Sequence, residues 1–469
     1  MCAGCVAIDI LPDDVLLLIF YFDGLEDVDR LHPSWHRLIH VCRKWRTVVF
    51  ASPNFLDLRL VCGPRTRVEL TDIWPPFPII VRNRILPPMP DNNNFDSAIV
   101  LRRSRVREID LRLSSSWQLQ RLASAMREPL PALIHLELAS SFRLPAPLPD
   151  GFLGGSAPRL RSLSLTTIPF PALPKFLLSA NDLVCLTLSK MGHSGYISPQ
   201  AIHTGLAKLV NLKSLIIKFQ SPHSRPDGER RYPPPSIRTV LSSLAYFEFM
   251  GVTEYLEDLV ARIDAPLLES VCITPFNYQI SEFSQLGRFM GLTARFQEVN
   301  EAHVVFNYGI RVNCLPPTPI LDVWPIQGSV LFRIPCTFAP WDTSSLARVL
   351  ASLSAAFSPV CTVEYLYISM PGDSLSIWIC ALTSMQWLAF LRPFSAVKNL
   401  YLCKKIAECI ASALQELVGE SVADVLPALE RIFLEDVQPS GPDEDAIGQF
   451  VAARQLSGHS VAVSRWNRT

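Results

Sequence analysis

Apolar residues along most of the chain follow one short pattern, apolar-x-x-apolar-x-apolar. It begins at Val106, Leu133, Leu160, Leu183, Leu212, Leu244, Leu268, Val363, Val397 and Leu429. Alternating apolar residues are typical of a strand with one buried face, because successive side chains of a strand point to opposite sides. Each occurrence is therefore predicted to form one short strand, and the strands are predicted to stack around a common core.

The spacing of these strands indicates a repeat architecture. The first seven starts are separated by 27, 27, 23, 29, 32 and 24 residues, and the pattern resembles leucine-rich repeats, whose period is roughly 20 to 29 residues. The resemblance implies an α/β fold in which a parallel sheet lines a horseshoe-shaped solenoid. The chain departs from the family pattern at Ser141, Ile168 and Met191, where Asn or Cys is expected. We therefore expect an irregular leucine-rich-repeat solenoid.

The repeat pattern is weakest between residues 275 and 360. VVFNY from Val304 and VLFRI from Val330 have the apolar character of strands at a plausible spacing. Both are assigned as repeats, although the six-residue motif is not clean there. The number of repeats in this stretch stays open on the sequence alone.

Residues between the apolar positions are predicted to point out of the sheet. In the early repeats they are mainly polar, as at Glu108, Asp110 and Glu137. In the last repeats they include Tyr365, Tyr367, Tyr401, Arg431, Phe433 and Glu435. Exposed aromatic and arginine side chains are enriched at interface anchors, so these six residues are predicted to bind a target protein. In the alternative, flanking loops cover them and they belong to ordinary solenoid packing.

The segment from Leu11 to Leu60 has a helical pattern instead. Leu11-Pro12-Asp13-Asp14 is typical of a helix start, because proline suits the first turn and acidic residues favour the positive end of the helix dipole. Apolar residues then recur at helical spacing, at Val15, Leu16, Leu18, Ile19 and Phe22. A second helix is predicted from Pro33 through Phe50, with Leu38, Val41, Cys42, Trp45 and Val49 on one face. A module this small should need support from a partner or from the next domain.

These helices resemble a three-helix F-box. The family pattern begins with Leu-Pro, continues with apolar residues at helical spacing and includes a Val-Cys-Arg-x-Trp core helix. The matching residues are Leu11, Pro12, Val15, Leu16, Ile19, Phe20, Leu38, Val41, Cys42, Arg43 and Trp45. The stretch GLEDVDRLHPSWHR departs from the pattern, because it is longer and more polar than usual.

The resemblance implies docking to the Skp1 adaptor of a cullin-based ubiquitin ligase. By this likeness the adaptor-binding residues are Leu11, Pro12, Val15, Leu16, Ile19, Phe20, Leu38, Val41, Cys42 and Trp45, with Trp45 mainly holding the helices together. A helical cap without an adaptor is the alternative. The whole layout, an F-box followed by irregular repeats that end in LPALERIFLED, resembles a large fungal group of F-box proteins whose targets are mostly undefined.

Three parts of the chain follow from these patterns. Residues 1–60 are predicted to form the F-box module, 61–104 the linker and solenoid entry, and 105–469 the solenoid with a C-terminal cap. The range Arg82 to Phe95 is assigned to the linker. The range Gln220 to Ser236, which contains Arg225, Arg230 and Arg231, is predicted to be a disordered, solvated loop. A terminal helix is predicted after about Asp436.

Charge and composition narrow the classes of partner. Lys plus Arg and Asp plus Glu each total 43, so the net charge is zero and nothing favours nucleic acid or an anionic membrane. The longest uncharged stretch, Ser374 to Leu391, contains Ser, Thr and Gln and is predicted to be a buried helix with Trp378 and Trp387. The first residues lack the pattern of a secretory signal. The 12 cysteines are expected to be reduced thiols in the cytoplasm or nucleus.

Candidate chemistry is sparse. Cys2 and Cys5 have the spacing of half a zinc site without a second pair, and His32, His36 and His40 are expected to be solvent-exposed. No catalytic motif stands out, so neither an enzyme nor a metal or cofactor is expected. The leading hypothesis is a substrate-recognition subunit of a Skp1-cullin-F-box ubiquitin ligase. A repeat scaffold without a ligase is the first alternative, and a hydrolase in an irregular α/β fold is the second.

Overall fold

The fold is given by a computed structural model. It describes residues 11–25, 35–63, 71–83, 95–142, 145–226, 233, 235, 237–276, 284–293, 296, 299–306, 309–315, 330–335, 362–370, 382–416, 424–435 and 442–466. The chain forms two compact units, Met1–Leu183 and Val184–Thr469. Each unit combines mostly parallel strands with short helices, so the predicted α/β class is confirmed. The boundaries predicted at residues 60 and 104 stay predictions, and Cys2, Cys5 and His32 lie outside the described residues.

Three helices open the first unit. Its helices are α1 (Asp13–Leu25), α2 (Trp35–Leu38), α3 (Arg43–Ala51), α4 (Phe95–Leu101), α5 (Ser116–Ala125) and α6 (Leu173–Leu177). The single helix predicted over residues 33–50 is wrong, because the chain leaves helical geometry between α2 and α3. Cys42 is extended, with φ −155° and ψ 173°, and its Sγ accepts the N–H of Trp45 at 3.5 Å. Such a side-chain acceptor satisfies an unpaired N–H of the first turn, so α3 begins after Cys42.

Parallel strands follow in chain order in the first unit. They are β1 (Leu60–Cys62), β2 (Ile79–Asn83), β3 (Val106–Leu113), β4 (His135–Ser140) and β5 (Ser162–Thr166), each paired in parallel with the next. The apolar positions of the motif face the core, and Leu136 and Leu138 of β4 are completely buried. The last three strands are those that the motif predicts. Apart from Leu60, β1 and β2 lie in the stretch predicted as linker and solenoid entry. They were not predicted as strands, because their short sequences LVC and IIVRN lack the motif.

Four parallel strands open the second unit. Its strands in this part are β6 (Cys185–Met191), β7 (Ser214–Phe219), β8 (Thr239–Val240), β9 (Tyr246–Gly251), β10 (Ile263–Asp264) and β11 (Ser270–Pro275). β6, β7, β9 and β11 pair successively in parallel, while β8 and β10 form a separate parallel pair. The helices here are α7 (Pro199–Leu206), α8 (Thr253–Val260) and α9 (Ser284–Gly291). The motif predicts all four main strands.

In the stretch where the repeat pattern is weakest, the sheet contains antiparallel strands. β12 (Glu301–Phe306) pairs antiparallel with β13 (Gly309–Leu315), which pairs antiparallel with β14 (Val330–Pro335). β14 pairs in parallel with β11, and β12 with the later strand that begins at Tyr365. VVFNY and VLFRI thus contribute strands, but their assignment as successive repeats is wrong. Only two residues separate β12 from β13. Because a connection between parallel strands needs a dozen residues or more, these two strands pair antiparallel.

Parallel order returns at the end of the second unit. β15 (Tyr365–Ser369), β16 (Asn399–Leu402), β17 (Arg431–Glu435) and β18 (Ala462–Trp466) pair successively in parallel. The helices between them are α10 (Ser384–Leu391), α11 (Lys404–Gln415) and α12 (Pro442–Leu456). α10 buries Trp387 as predicted, but it begins at Ser384 after the extended Thr383, so the helix predicted from Ser374 to Leu391 is confirmed only from Ser384 onwards. Trp378 lies outside the described residues. α12 is the predicted terminal helix. β18 was not predicted, because its sequence lacks the motif.

Two predicted loops contain regular structure in their described parts. In the range Gln220 to Ser236, residues 222–224 form a short 3-10 helix, and Arg225 lies 3.9 Å from Asp258 with its side chain 15% exposed. The prediction of a disordered, solvated loop is therefore wrong for this part, while Arg230 and Arg231 lie outside the described residues. The predicted linker from Arg82 to Phe95 includes the end of β2 and the start of α4. No helix in the described part of the chain is long and apolar enough to cross a membrane.

Candidate docking surfaces

The inner side of α1 packs against α3. Leu16 and Phe20 are 0% and 2% exposed, and the ring of Phe20 lies 4.7 Å from the ring of Trp45, centroid to centroid. The start of α1 is fixed by Lys44, whose Nζ donates to the Leu11 carbonyl at 2.7 Å and lies 3.5 Å from the Asp13 carboxylate. The helix is thus held to α3 by apolar packing and by one cation at its first turn.

The outer side of α1 is also apolar. Its exposed residues Val15, Leu18, Ile19, Tyr21 and Phe22, together with Phe55, form a surface that we call the N-terminal apolar face. Exposure reaches 51% at Leu18 and 62% at Phe22, and the ring of Tyr21 lies 5.4 Å from that of Phe55. A helix that is apolar all round is normally buried, so this face is a candidate for contact with another protein.

An aromatic cluster joins the N-terminal helices to the strands of the first unit. The cluster consists of Trp35, Phe50, Trp74 and Phe77, and we call it the aromatic clamp. The centroids of its contacting rings are 5.5–6.5 Å apart. Trp35 is 4% exposed, and its Nε1 donates to the Arg59 carbonyl at 3.2 Å. The small helical module is therefore supported by the segment that leads into β2. The clamp was not predicted from the sequence, although Trp35, at the end of an otherwise polar stretch where α2 begins, was a possible signal.

The residues predicted to bind an adaptor occupy both sides of the helices. Val15, Ile19 and Val41 are exposed, as is Pro12 at the start of α1, while Leu11, Cys42 and Trp45 are half-buried. Leu16, Phe20 and Leu38 are buried between the helices. The predicted set is thus divided between side chains that are accessible to another protein and side chains that hold the module together. Leu18, Tyr21, Phe22 and Phe55 complete the exposed face and were not in the predicted set.

The outward face of the early strands carries ion pairs. Arg82 Nε lies 3.2 Å from Asp110 Oδ2, and Arg59 Nη1 lies 3.7 Å from Glu108 Oε1. Asp110, which was predicted to point outwards, is only 4% exposed because it is covered on this face. These ion pairs give this part of the face a polar character, in contrast to the aromatic residues predicted on the last strands.

A row of aromatic rings crosses the last strands of the second unit. His303 of β12 is in register with Tyr367 of β15, which is in register with Tyr401 of β16 and then Phe433 of β17. The ring centroids are 4.4, 4.2 and 4.4 Å apart, with interplanar angles of 10°, 13° and 6°. We call these four stacked rings the aromatic ladder. Register positions of adjacent strands lie on one face of a sheet, which is why the rings can stack.

Trp466 of β18 lies against the ladder. Its ring centroid is 5.3 Å from that of Tyr401 at 72°, and 6.0 Å from that of Tyr367 at 59°. Burial, then the nearby Tyr401 and the Glu301 carboxylate, raise the pKa of Tyr367 above its ordinary value. A raised pKa means that the phenol is held in its neutral form in this partly apolar setting.

The structure distributes the six residues predicted for target binding over three register rows. Tyr367, Tyr401 and Phe433 belong to the ladder, whereas Tyr365 and Arg431 lie in the neighbouring row with Glu301 and Asn399. Glu435 is in register with Trp466. Arg431 is exposed and the other five are half-buried. His303 and Trp466 were missed, because β12 has an irregular motif and β18 has none.

Comparison with known proteins adds little to this picture. No family model matches the sequence, and no curated protein has a significantly similar sequence. Among solved structures, the chain is similar to the leucine-rich repeat-containing protein LegL7 from Legionella pneumophila, with 12% identity and a TM-score of 0.28, over 77% of this chain and 84% of that chain. A TM-score this low carries no argument about function. Within the described residues, no group of three His, Cys, Asp or Glu side chains is placed to hold a metal ion.

Proposed function

We propose that the chain is a substrate-recognition subunit of a Skp1-cullin-F-box ubiquitin ligase. In this proposal the N-terminal apolar face binds the Skp1 adaptor, and the outward faces of the strands bind a target protein. The observation that carries the proposal is that α1 is apolar on both sides, with Leu16 and Phe20 packed inwards and Ile19 and Phe22 exposed. A buried adaptor interface on the outer side accounts for this pattern.

The likeness of this segment to an F-box supports the choice of adaptor. The Leu-Pro start at Leu11 and Pro12 and the Val-Cys-Arg-x-Trp stretch that ends at Trp45 occur together in the same helical module. The residues of the predicted set that are exposed and would contact the adaptor are Pro12, Val15, Ile19 and Val41. Leu16, Phe20 and Leu38 would instead maintain the shape of the module.

The proposed mechanism is positional. A receptor of this kind catalyses no reaction itself, and it raises the effective concentration of target lysines near the ubiquitin-charged enzyme. The aromatic clamp supports this role, because a firm attachment of the helices to the segment before β2 limits the motion of the docking module against the first strands. No cofactor is needed for this action.

Co-purification of the full-length chain with the Skp1 adaptor tests the proposal. Ile19 is 42% exposed, so Ile19→Asp leaves the fold intact and places a charge in the adaptor interface. We expect the dissociation constant for the adaptor to rise at least about 30-fold, which corresponds to about 2 kcal/mol. The matched control is Leu178→Asp, since Leu178 is 40% exposed and lies at the end of α6.

The outcomes separate the proposal from its main alternative. Stoichiometric binding by the wild-type chain and the Leu178→Asp variant, with loss in the Ile19→Asp variant, supports a ligase receptor. If the intact, folded chain does not bind the adaptor, the ligase proposal is wrong. The chain would then be a repeat scaffold in which the helices cap the strands.

A further inference from the structure

The aromatic ladder presents ring edges to its surroundings. Within the stack, the face of each ring lies against the face of the ring on the next strand, and the ring centroids are 4.2–4.4 Å apart. The edges of the rings therefore point away from the sheet, side by side over four strands. Ring edges carry the positive part of the aromatic quadrupole, and they favour contact with the negative face of another ring.

Trp466 packs against the ladder at an angle within the same chain. Its ring is tilted by 72° against Tyr401 and by 59° against Tyr367, whereas the rings of the ladder are nearly parallel to one another. In register, the position after Phe433 is Ser464, which is too small to continue the stack. Trp466 instead lies across the ladder from a position two residues further along β18. An aromatic side chain is thus the group that this surface already accommodates.

The strand that carries Trp466 is weakly anchored. Among the described residues β18 pairs on one side only, with β17, and Ala462, Val463 and Arg465 are exposed. Residues 455–460 before it are also exposed, and Gly458 has a φ of +83°, which favours glycine in the turn. Strands at a sheet edge with few buried side chains open at low cost in free energy.

We propose that the aromatic ladder is a receptor site for an aromatic side chain on an extended segment of a partner protein, and that Trp466 occupies this site in the free chain. Where the partner is the target of the ligase, the inference rests on the proposed function. The partner's ring takes the place of the Trp466 ring against Tyr401 and Tyr367. Trp466 then acts as a tethered competitor, because a ring on the same chain has a high effective concentration at the site.

Saturation-transfer nuclear magnetic resonance tests this proposal on the full-length chain. The probe is N-acetyl-tryptophanamide, and N-acetyl-leucinamide is the aliphatic comparison. In the Trp466→Ala variant we expect transfer to the indole protons to be about threefold to tenfold stronger than in the wild-type chain. The added substitution Tyr401→Leu should abolish the gain. A Phe433→Leu substitution serves as a second variant in case the Tyr401 variant misfolds, because it leaves both rings beneath Trp466 in place. It should reduce the increase in saturation transfer only in part.

Two matched variants define the control level. Trp466→Phe keeps a ring over the ladder and should behave as the wild-type chain. Val463→Ala changes an exposed residue of the same strand and should also leave the signal unchanged. The proposal would be overturned if the Trp466→Ala variant showed the same saturation transfer to the indole protons with and without the added Tyr401→Leu substitution. It would also be overturned if transfer to N-acetyl-leucinamide equalled transfer to N-acetyl-tryptophanamide.

A second copy of this chain is the competing occupant. Sedimentation of the wild-type chain and the Trp466→Ala variant distinguishes it, since a swapped β18 would produce a dimer that the variant loses. Such a dimer would overturn the proposal, and a monomeric wild-type chain supports it. Adaptor binding depends on the N-terminal helices, so failure of the ladder proposal leaves the co-purification result unchanged and the two failures are distinguishable.

Discussion

The N-terminal apolar face and the aromatic ladder are both built from large apolar side chains, but they differ in what covers them. On α1, Leu18 and Phe22 are 51% and 62% exposed, and the ring of the nearby Tyr21 lies 5.8 Å from that of Phe22 and 5.4 Å from that of Phe55, which both belong to the same exposed face. On the ladder, each ring stacks on its neighbour and Trp466 lies over two of them. Among the described residues the first surface has little cover, whereas the second is largely covered within its own unit.

This difference predicts different consequences for a partner. A face without internal cover gains the full apolar burial on binding, at about 25 cal/mol for each Å² removed from water. A face that is already occupied by a side chain of the same chain gains less free energy on binding. The gain is only the difference between the contact made by the partner's ring and the contact of the ring that it displaces. We therefore expect constitutive binding at α1 and binding at the ladder that depends on displacement of Trp466.

The largest expected effect separates the two sides of α1. Phe20→Ala removes a ring that is 2% exposed and packs on Trp45, and it should lower the opening free energy of α1 by about 3–5 kcal/mol. Phe22→Ala should change that free energy by less than about 0.5 kcal/mol. Amide hydrogen exchange of α1 in the full-length chain measures both. Equal loss of protection in the two variants would mean that the outer side is covered after all.

The same pair of variants sharpens the proposed function. Phe22→Ala should weaken adaptor binding while α1 remains protected from exchange. The Phe20→Ala variant should lose both adaptor binding and the protection of α1 from exchange, because the helix that presents the apolar face is no longer held against α3. A Phe22→Ala variant that binds the adaptor as tightly as the wild-type chain would remove Phe22 from the interface.

A smaller effect is expected in the ladder. Tyr401 stacks on Tyr367 and Phe433 and also contacts Trp466, and each aromatic pair contributes about 0.5–1.5 kcal/mol beyond area burial. Tyr401→Ala should therefore destabilise β15–β17 by about 1–3 kcal/mol more than Tyr365→Ala. Tyr365 is the matched control, since it is half-buried on an adjacent strand but lies in the neighbouring row. Amide exchange of the three strands provides the measurement, and equal losses would show that the stack contributes no stability.

Local pattern was enough to predict most of the strands and part of each surface. The motif at Val363, Val397 and Leu429 places Tyr367, Tyr401 and Phe433 on the outward side of successive strands. It does not indicate that these three positions share one register row, because register depends on how distant strands pair. The row could not be extended to His303, since the antiparallel β12–β13 hairpin replaces the repeat there.

The helical module illustrates the same limit. Apolar spacing predicted α1, but it could not distinguish the buried Phe20 from the exposed Phe22, since α1 is apolar all round. The distinction arises from tertiary packing of Phe20 on Trp45 and of the helices on the aromatic clamp. The break before α3 was missed because cysteine is an uncommon residue to accept the first N–H of a helix.

The smallest expected effect is a dependence of the ladder on pH. Burial and the neighbouring Tyr401 and Glu301 raise the pKa of Tyr367, while a tyrosine in an unfolded chain ionises near pH 10. Above about pH 10 the unfolded chain therefore binds fewer protons than the folded one, and stability must fall as pH rises. This contribution is fully present below pH 10 and is lost as pH rises through the folded pKa. Tyr367→Phe keeps a ring in the stack but removes the ionising hydroxyl, so amide exchange of β15 should depend less steeply on pH in that variant. An equal slope in the wild-type chain and the variant would show that the Tyr367 hydroxyl is as well solvated in the ladder as in water, and that the ladder is more open than its close ring spacing indicates.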